Sequence, residues 1–203
     1  MEDKPFTPLF ELFTRPNPRF KEALEGVSWI DRYLSQLAVH SVLTFEHSQR
    51  VAHIADEVGS LLPLQHEDRW NLIRAGLLHD IGKLRIPVTL LNADSLSEAD
   101  KVHFDMHPRL GFEMVNPIDS ALARIVVAHH EFQERPYPRR MPRNADEWRL
   151  FILQRILALS DATDALMSRR PYKEPYSRQD TRRLLEGRFP RDFIEKAISA
   201  RSK

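Results

Sequence analysis

The 203 residues are enough for one sizeable hydrophobic core, and no linker rich in Gly, Ser or Pro divides them. The chain has no cysteine, which excludes disulfides, thiolate zinc sites and a cysteine nucleophile, so any metal must be held by nitrogen and oxygen atoms. The net charge of +1 hides a basic segment, with 14 Lys/Arg against 7 Asp/Glu from Arg135 to Arg191, but nothing resembles a module that binds nucleic-acid polymers.

The N-terminal region carries no signal for export or membrane insertion. No apolar run approaches the roughly 20 residues that span a bilayer, and the start "MEDKPFTPLF" lacks a charged-then-apolar pattern. We therefore expect a cytoplasmic protein that does not bind membranes. Residues 1–32 are predicted to form an irregular or helical arm, followed by a single domain over residues 33–203.

Apolar residues recur at helical spacing along nearly the whole chain, which predicts an all-α fold. The first pattern runs from Trp29 to Val58 with one break near His40 to Thr44. A second helix is predicted from Glu67 to His79, with Gly82 in the left-handed conformation that closes a helix.

Capping signals predict where the later helices begin. Ser97 stands three residues before Asp100, as in a capping box, and Pro108 suits a first helical turn. Pro117 is predicted to open the helix "PIDSALARIVVAHHE", and Asn144 to cap the long apolar helix that follows the proline-rich loop "FQERPYPRRMPR".

Seven metal-ligating side chains lie at predicted element ends or inside apolar helices. A single histidine of this kind is usually a core residue whose ring nitrogens are hydrogen-bonded, and Asp161 alone could form a buried pair with Arg155. Seven such residues in one domain favour a common function. Four other histidines, His40, His53, His66 and His103, are interpreted as non-ligands. The seven candidates are His47, His79, Asp80, His107, His129, His130 and Asp161.

Imidazole and carboxylate ligands suit Fe, Mn, Zn or Ni, and seven are too many for one ion. They suit two ions about 3.5–4 Å apart, a pair that activates water and clamps a phosphoryl group. Asp80 is the natural bridge because a carboxylate has two oxygens to share. Lys83 could neutralise a phosphate oxygen, although an exposed lysine without a role is an equal alternative.

Five motifs resemble, in order and approximate spacing, the HD-GYP branch of the HD-domain phosphohydrolases: "EHSQRVAHIADEVG", "LLHDIGKLRIP", "MHPRLGFEMV", "VVAHHE" and "SDATDALMSRRPYKEPYS". The similarity covers roughly Leu43 to Ile198. It implies a helical HD fold, a bridged centre of two divalent ions, most often Fe or Mn, and hydrolysis of cyclic di-GMP.

The resemblance also implies a role for each matching residue. The first ion would be held by His47, His79, Asp80 and Asp161, and the second by His107, His129 and His130 with Asp80 as the bridge. Lys83 resembles the lysine beside the scissile phosphate, so Asp80 and Lys83 are the predicted catalytic pair. Substrate contacts are implied for Tyr137, Arg170 and Lys173.

Two departures from the family pattern change the expectation. Leu43 replaces a glutamate that adds a third metal in some members, so two ions are expected. The naming motif is reduced to "HHEFQERPYP", which has lost both glycines and keeps only Tyr137 and Pro138. Proline fixes φ and removes a donor, so weaker discrimination among substrates is expected.

The sequence thus predicts a metal-dependent phosphodiesterase acting on a cyclic dinucleotide, cyclic di-GMP first, giving the linear dinucleotide or GMP. One alternative is an HD-type phosphohydrolase for another nucleotide or phosphoester. Another is a non-catalytic module that binds a cyclic dinucleotide or a signalling protein, and a signalling partner or a homodimer is compatible with each of these functions.

Overall fold

The computed structural model describes residues 18–93, 95, 97–130, 142–169 and 174–202. These residues contain helices and no β-strand, so the predicted all-α fold is confirmed. The elements are α1 Pro18–Leu24, α2 Ser28–His40, α3 Val42–Gly59, α4 His66–Leu78, a 3-10 helix Ile81–Arg85, α5 Val88–Leu91, α6 Glu98–Asp105, α7 His107–Val115, α8 Ser120–Val126, α9 Ala145–Met167, α10 Arg178–Leu185 and α11 Arg191–Arg201.

Helix α3 lies at the centre of the bundle and packs against α4, α9 and α11. Its residues Val51, Ile54, Ala55 and Val58 are fully buried, at the spacing that places them on the inner side of one helix. Burial of an aliphatic side chain of this size contributes about 1.5–3 kcal/mol, so this face fixes the position of the helix. It thereby fixes the position of any other residue that α3 presents to the core.

The break predicted between the first two helices is confirmed. Helix α2 ends at His40. The Ser41 hydroxyl oxygen accepts a hydrogen bond from the Thr44 backbone N–H (3.2 Å) and so caps α3. The His40 Nε2–H donates to the carbonyl of Ile86 (2.9 Å), which ties this junction to the end of the 3-10 helix. His40 therefore has a structural partner, as its interpretation as a non-ligand requires.

Glycines bring the site-bearing segments into close contact. A Cβ on Gly76 would lie 2.4 Å from Ala52 Cα, so α3 and α4 approach more closely than any side chain would allow. A Cβ on Gly82 would lie 2.0 Å from the His107 carbonyl oxygen. The prediction that Gly82 closes a helix in the left-handed conformation is wrong, since the positive φ values of the described residues belong to Gly26 and Gly187. Gly82 is instead required by the backbone of α7.

Most of the predicted helix starts are confirmed. Ser97 and Asp100 form a capping box, Pro108 lies in the first turn of α7, and the Asn144 side chain accepts the Glu147 amide. The start predicted at Pro117 is wrong. Helix α8 begins at Ser120, because the Asp119 carboxylate accepts a hydrogen bond from the Leu122 backbone N–H (2.9 Å) and caps the helix at that point.

The described part of the N-terminal region packs on the bundle. Phe20, Ala23 and Leu24 of α1 are buried, and the Arg74 Nε–H of α4 donates to the Ala23 carbonyl (2.6 Å). The division at residue 32 stays a prediction.

Among the described residues, none of the helices combines the length and the apolar character that crossing a membrane requires.

Candidate metal centre

The fold brings all seven predicted ligands and Lys83 to one place. Helix α3 carries His47, the residues directly after α4 are His79 and Asp80, and the 3-10 helix carries Lys83. His107 begins α7, His129 and His130 follow α8, and Asp161 lies in α9. Residues far apart in sequence therefore converge between the central helices, and the contacts below show how closely.

The first cluster consists of His47, His79 and Asp161, together with Asp80. The His47 Nε2 lies 3.1 Å from Asp161 Oδ1 and 3.2 Å from His79 Nε2. Asp80 Oδ2 lies 3.5 Å from His79 Nε2 and 3.8 Å from His47 Nε2. Donor atoms of His47, His79 and Asp80 thus lie within 4.8 Å of one another, a spacing that could hold one ion.

The second cluster consists of His107, His129 and His130, together with Asp80. The donor atoms of the three histidines also lie within 4.8 Å of one another. His107 Nε2 lies 3.0 Å from His129 Nε2 and 3.1 Å from Asp80 Oδ1. Asp80 therefore presents Oδ2 to the first cluster and Oδ1 to the second, which is the arrangement of a bridging carboxylate.

Four of the histidines are oriented by hydrogen bonds from their Nδ1 atoms. Three of them donate to the backbone carbonyl three residues earlier: His79 to Gly76 (2.8 Å), His107 to Phe104 (2.5 Å) and His129 to Val126 (2.7 Å). His47 donates instead to Asp164 Oδ2 (2.7 Å). Because these oxygens can only accept, each Nδ1 carries a proton and each Nε2 is directed toward the clusters.

The contact between His107 and His129 is a direct test of whether a cation fits. Both side chains are buried, and both Nδ1 protons are already committed to carbonyls. When both rings are neutral, two Nε2 lone pairs face each other at 3.0 Å with no proton between them. Such an arrangement is repulsive by itself and becomes favourable with a shared cation, so the donor set fits a divalent metal.

The electrostatics of the centre favour neutral imidazoles beside ionised carboxylates. Burial lowers the pKa of His79 and His129, and lowers that of His130 to about 4. Burial also opposes ionisation of Asp80, but the ammonium of Lys83 and the neighbouring imidazoles hold its pKa well below the usual value. Neutral imidazole and ionised carboxylate are the forms that bind metals.

His47 is the exception among these groups. Burial lowers its pKa, but hydrogen bonds to Asp161 and Asp164 outweigh burial and raise the pKa to about 9. Without metal, its ring is therefore an imidazolium held between two carboxylates. Metal binding at this position must release a proton.

A comparison with known families identifies the fold around this centre. A family model described as the HD domain matches residues 33–188, most of the chain. The chain belongs to the HD-domain family. HD-domain phosphohydrolases use divalent metals, and the two clusters are groups that could bind such ions.

Curated relatives of this HD domain come from several bacteria. The cyclic di-GMP phosphodiesterase response regulator RpfG of Xanthomonas campestris is 31% identical over 158 residues, 75% of this chain and 41% of RpfG. The 3'3'-cGAMP-specific phosphodiesterase 3 of Vibrio cholerae is 36% identical over 137 residues, 66% of this chain and 29% of that protein. A cyclic di-GMP phosphodiesterase of Thermotoga maritima is 27% identical over 196 residues, 94% of this chain and 50% of that protein. The chain spans half or less of the length of these relatives.

A solved structure independently supports the fold. The HD domain of the L. monocytogenes phosphodiesterase PgpH, in complex with cyclic-di-AMP, superimposes with a TM-score of 0.58. The match covers 84% of this chain and 93% of that one at 17% sequence identity. At this identity, the likeness shows the helical HD fold alone.

Lys83 lies beside Asp80, whose two carboxylate oxygens face the two clusters. Its Nζ contacts Asp80 Oδ2 at 2.5 Å, and the side chain is 18% exposed. Lys83 is therefore not an exposed surface lysine, and its catalytic role stays a prediction. Arg155, the alternative partner considered for Asp161, donates instead to the Arg188 carbonyl (2.5 Å).

Asp164 was missed by the sequence reasoning, although it contacts His47. It lies three residues after Asp161, on the same side of α9, and its side chain is fully buried. A second acidic residue in the apolar helix was the available signal. The predicted substrate residues Tyr137, Arg170 and Lys173 lie outside the described residues, as does most of the "FQERPYPRRMPR" loop.

Proposed function

We propose that this HD domain is a metal-dependent phosphodiesterase that hydrolyses a cyclic dinucleotide, cyclic di-GMP first, to the linear dinucleotide or GMP. The observation that carries the proposal is the pair of Asp80 oxygens, each facing a separate histidine cluster, with Lys83 at 2.5 Å. A single ion would not need seven ligands of this kind, whereas phosphoryl transfer benefits from two. The names of the relatives supply the class of substrate.

The proposed cofactors are two divalent transition-metal ions, Fe or Mn, with Zn and Ni as alternatives. When bound, such ions supply a water of lowered pKa and positive charge beside the phosphoryl oxygens. His47, His79 and Asp161 would hold one ion, and His107, His129 and His130 the other, with Asp80 shared. The Nδ1 hydrogen bonds described above would keep the rings aimed at the ions throughout turnover.

Lys83 is the proposed phosphate-charge partner. In the structure, its ammonium is paired with Asp80 Oδ2. Ions bound to Asp80 would compete for that oxygen, and the ammonium would then be free to bind a non-bridging phosphate oxygen. Such a group lowers the barrier when it is aimed at charge that develops in the transition state.

Substrate contacts are proposed for three further residues on the strength of the sequence resemblance. Arg170 and Lys173 would offset the phosphate charge, and Tyr137 would contact the substrate from the altered loop. The same resemblance supports placement in the HD-GYP branch with a degenerate loop. The relatives are named for two substrates, cyclic di-GMP and 3'3'-cGAMP. What these substrates share is the cyclic dinucleotide backbone, not the same two bases.

We propose a domain division, a location and partners that are compatible with this activity. Residues 33–203 would form the catalytic domain, with residues 1–32 as an arm on the domain or on a partner. A cytoplasmic signalling role suits a cyclic dinucleotide substrate, with a signalling protein or a second copy of the chain as the partner.

Product analysis tests the proposal. The protein, loaded anaerobically with Mn²⁺ or Fe²⁺, is incubated with cyclic di-GMP, 3'3'-cGAMP, cyclic di-AMP and bis(p-nitrophenyl) phosphate, and products are identified by mass spectrometry. We expect linear dinucleotides or mononucleotides, and none from an Asp80→Asn control. Hydrolysis of the simple phosphodiester alone would favour the general phosphohydrolase, and binding without turnover would favour the non-catalytic module.

A further inference from the structure

Asp164 joins the His47 imidazole to a buried network of charges. Its Oδ2 accepts the His47 Nδ1 proton at 2.7 Å, and its side chain has no exposed surface. The guanidinium of Arg50 binds both carboxylate oxygens, with Nε 2.8 Å from Oδ1 and the terminal nitrogen 3.1 Å from Oδ2. The Ser168 hydroxyl donates to Oδ2 at 3.1 Å. The carboxylate is thus held by several donors at once.

The same network reaches the last helix of the described chain. Arg201, in the final turn of α11, forms an ion pair with Asp164 and donates to the Ser168 hydroxyl (3.2 Å). Asp164 therefore ties α3, α9 and α11 together around His47. Arg201 lies beyond residues 33–188, the range matched by the family model.

We propose that Asp164 is a positioning residue for the first cluster, and that Arg201 lets helix α11 set the metal affinity of that cluster. This inference rests on the metal centre proposed above. His79, His107 and His129 are oriented by backbone carbonyls, which substitution cannot remove. Of these four oriented histidines, His47 depends on a side chain, so its alignment can be changed without altering any ligand.

The charge of Asp164 matters as well as its shape. An asparagine at this position keeps the volume but offers one acceptor atom and one NH₂ group. If the amide oxygen faces His47, the NH₂ group meets the Arg50 and Arg201 donors. If the amide oxygen faces the arginines, the NH₂ group faces His47 Nδ1, which must then accept a hydrogen bond. The ring proton of His47 then lies on Nε2, where it prevents that atom from binding a metal. Either orientation weakens the first cluster.

Asp56 offers a matched control for this substitution. It is also buried, at 1% exposure, and is paired with two arginines, Arg19 and Arg69. Its carboxylate bonds described by the structure go to those arginines and to no histidine. Asp56→Asn therefore disturbs a buried arginine–carboxylate group of the same kind while leaving the metal centre untouched.

The experiment is a calorimetric titration of the metal-free protein with Mn²⁺ alone, on the parent, Asp164→Asn, Arg201→Gln and Asp56→Asn. Loss of a partner that orients a metal ligand typically weakens metal binding about 10–100-fold. We expect a loss of that size at one of two sites in Asp164→Asn, a smaller loss at the same site in Arg201→Gln, and parent affinities in Asp56→Asn. Urea denaturation of the same metal-free samples reports the stability of each variant separately.

The outcomes separate the two proposals. Parent protein that binds no Mn²⁺ overturns the metal centre itself. Two sites in the parent, with unchanged affinities in both Asp164→Asn and Arg201→Gln, overturn the positioning inference alone. If Asp164→Asn does not fold, Arg201→Gln decides, because its side chain lies at the edge of the network and is 21% exposed. An equal loss of affinity in Asp56→Asn would show that general destabilisation is the cause and would also overturn the inference.

Discussion

Replacement of Gly82 by alanine should separate the second cluster from Asp80. The new Cβ would lie 2.0 Å from the His107 carbonyl oxygen and 2.6 Å from the Gly111 nitrogen, both backbone atoms of α7. Real Cβ atoms essentially never approach closer than 3.0 Å, so α7 must withdraw by about 1 Å. His107 is the first residue of α7 and moves with it.

The expected magnitudes follow from this displacement. Overpacking of this kind costs about 1–3 kcal/mol of unfolding free energy, and the entropic gain from replacing glycine offsets about 0.4–1 kcal/mol of it. Metal–ligand distances in well-formed sites lie within about 0.2 Å of their usual values. The 3.1 Å contact between His107 Nε2 and Asp80 Oδ1 would lengthen by more than that range. We expect moderate destabilisation and a disproportionate loss of one of the two ions.

Gly111→Ala is the matched control, because it adds the same methyl group on the opposite side of the same contact. Its nearest neighbours would lie 3.5–3.6 Å away, an ordinary contact distance, and alanine favours the helix. The assay is metal content after gel filtration together with urea denaturation of the metal-free protein. Parent-like metal content and stability in Gly82→Ala would refute the argument that this glycine sets the distance between His107 and Asp80.

Further variants test the assignments one by one. Asp80→Ala should lose both ions and all turnover, measured by elemental analysis and product release; retention of two ions would contradict the bridge. Lys83→Ala should retain both ions while kcat falls about 10²–10³-fold, as for loss of one donor to a developing charge; an unchanged kcat would remove Lys83 from the mechanism. A DGxGYP loop grafted between Gln133 and Arg139 should sharpen the ratio of kcat/KM for cyclic di-GMP over simpler phosphodiesters without changing metal content. Strong selectivity in the ungrafted protein would contradict that role of the loop.

Local signals in the sequence predicted much of the fold. The side chains of Ser97 and Asn144 each accept a hydrogen bond from a backbone N–H three residues later. Such local caps can be predicted from neighbouring residues alone. Pro117 failed as a start signal because Asp119 provides a side-chain cap that proline cannot. Gly82 was assigned the wrong purpose because its close contact is with residues 25 and 29 positions later, which no local pattern reveals.

The residues of the candidate centre and their division into two groups were predictable from the sequence and its family resemblance, but the hydrogen bonds that orient them were not. Histidines and aspartates in apolar segments can be recognised as candidate ligands, because burial of a polar side chain without a partner is unfavourable. Their orientation depends on details that the sequence does not display: Nδ1 bonds to carbonyls after a helix end, and the pairing of His47 with Asp164 across 117 residues. Asp161 was assigned to the first cluster in advance, but only the packing of α3 on α9 shows that Asp164 contacts His47 Nδ1 while Asp161 contacts Nε2.

The most direct test of the proposed two-ion phosphodiesterase is turnover of cyclic di-GMP as Mn²⁺ is added stepwise to metal-free protein. If Asp80 is shared between two ions as proposed, both ions are needed to clamp the phosphoryl group. Turnover should stay low through the first equivalent and reach its plateau at about two ions per chain, with the linear dinucleotide as first product. A plateau at one equivalent, or full turnover in the presence of excess chelator, would contradict the bridged two-ion centre.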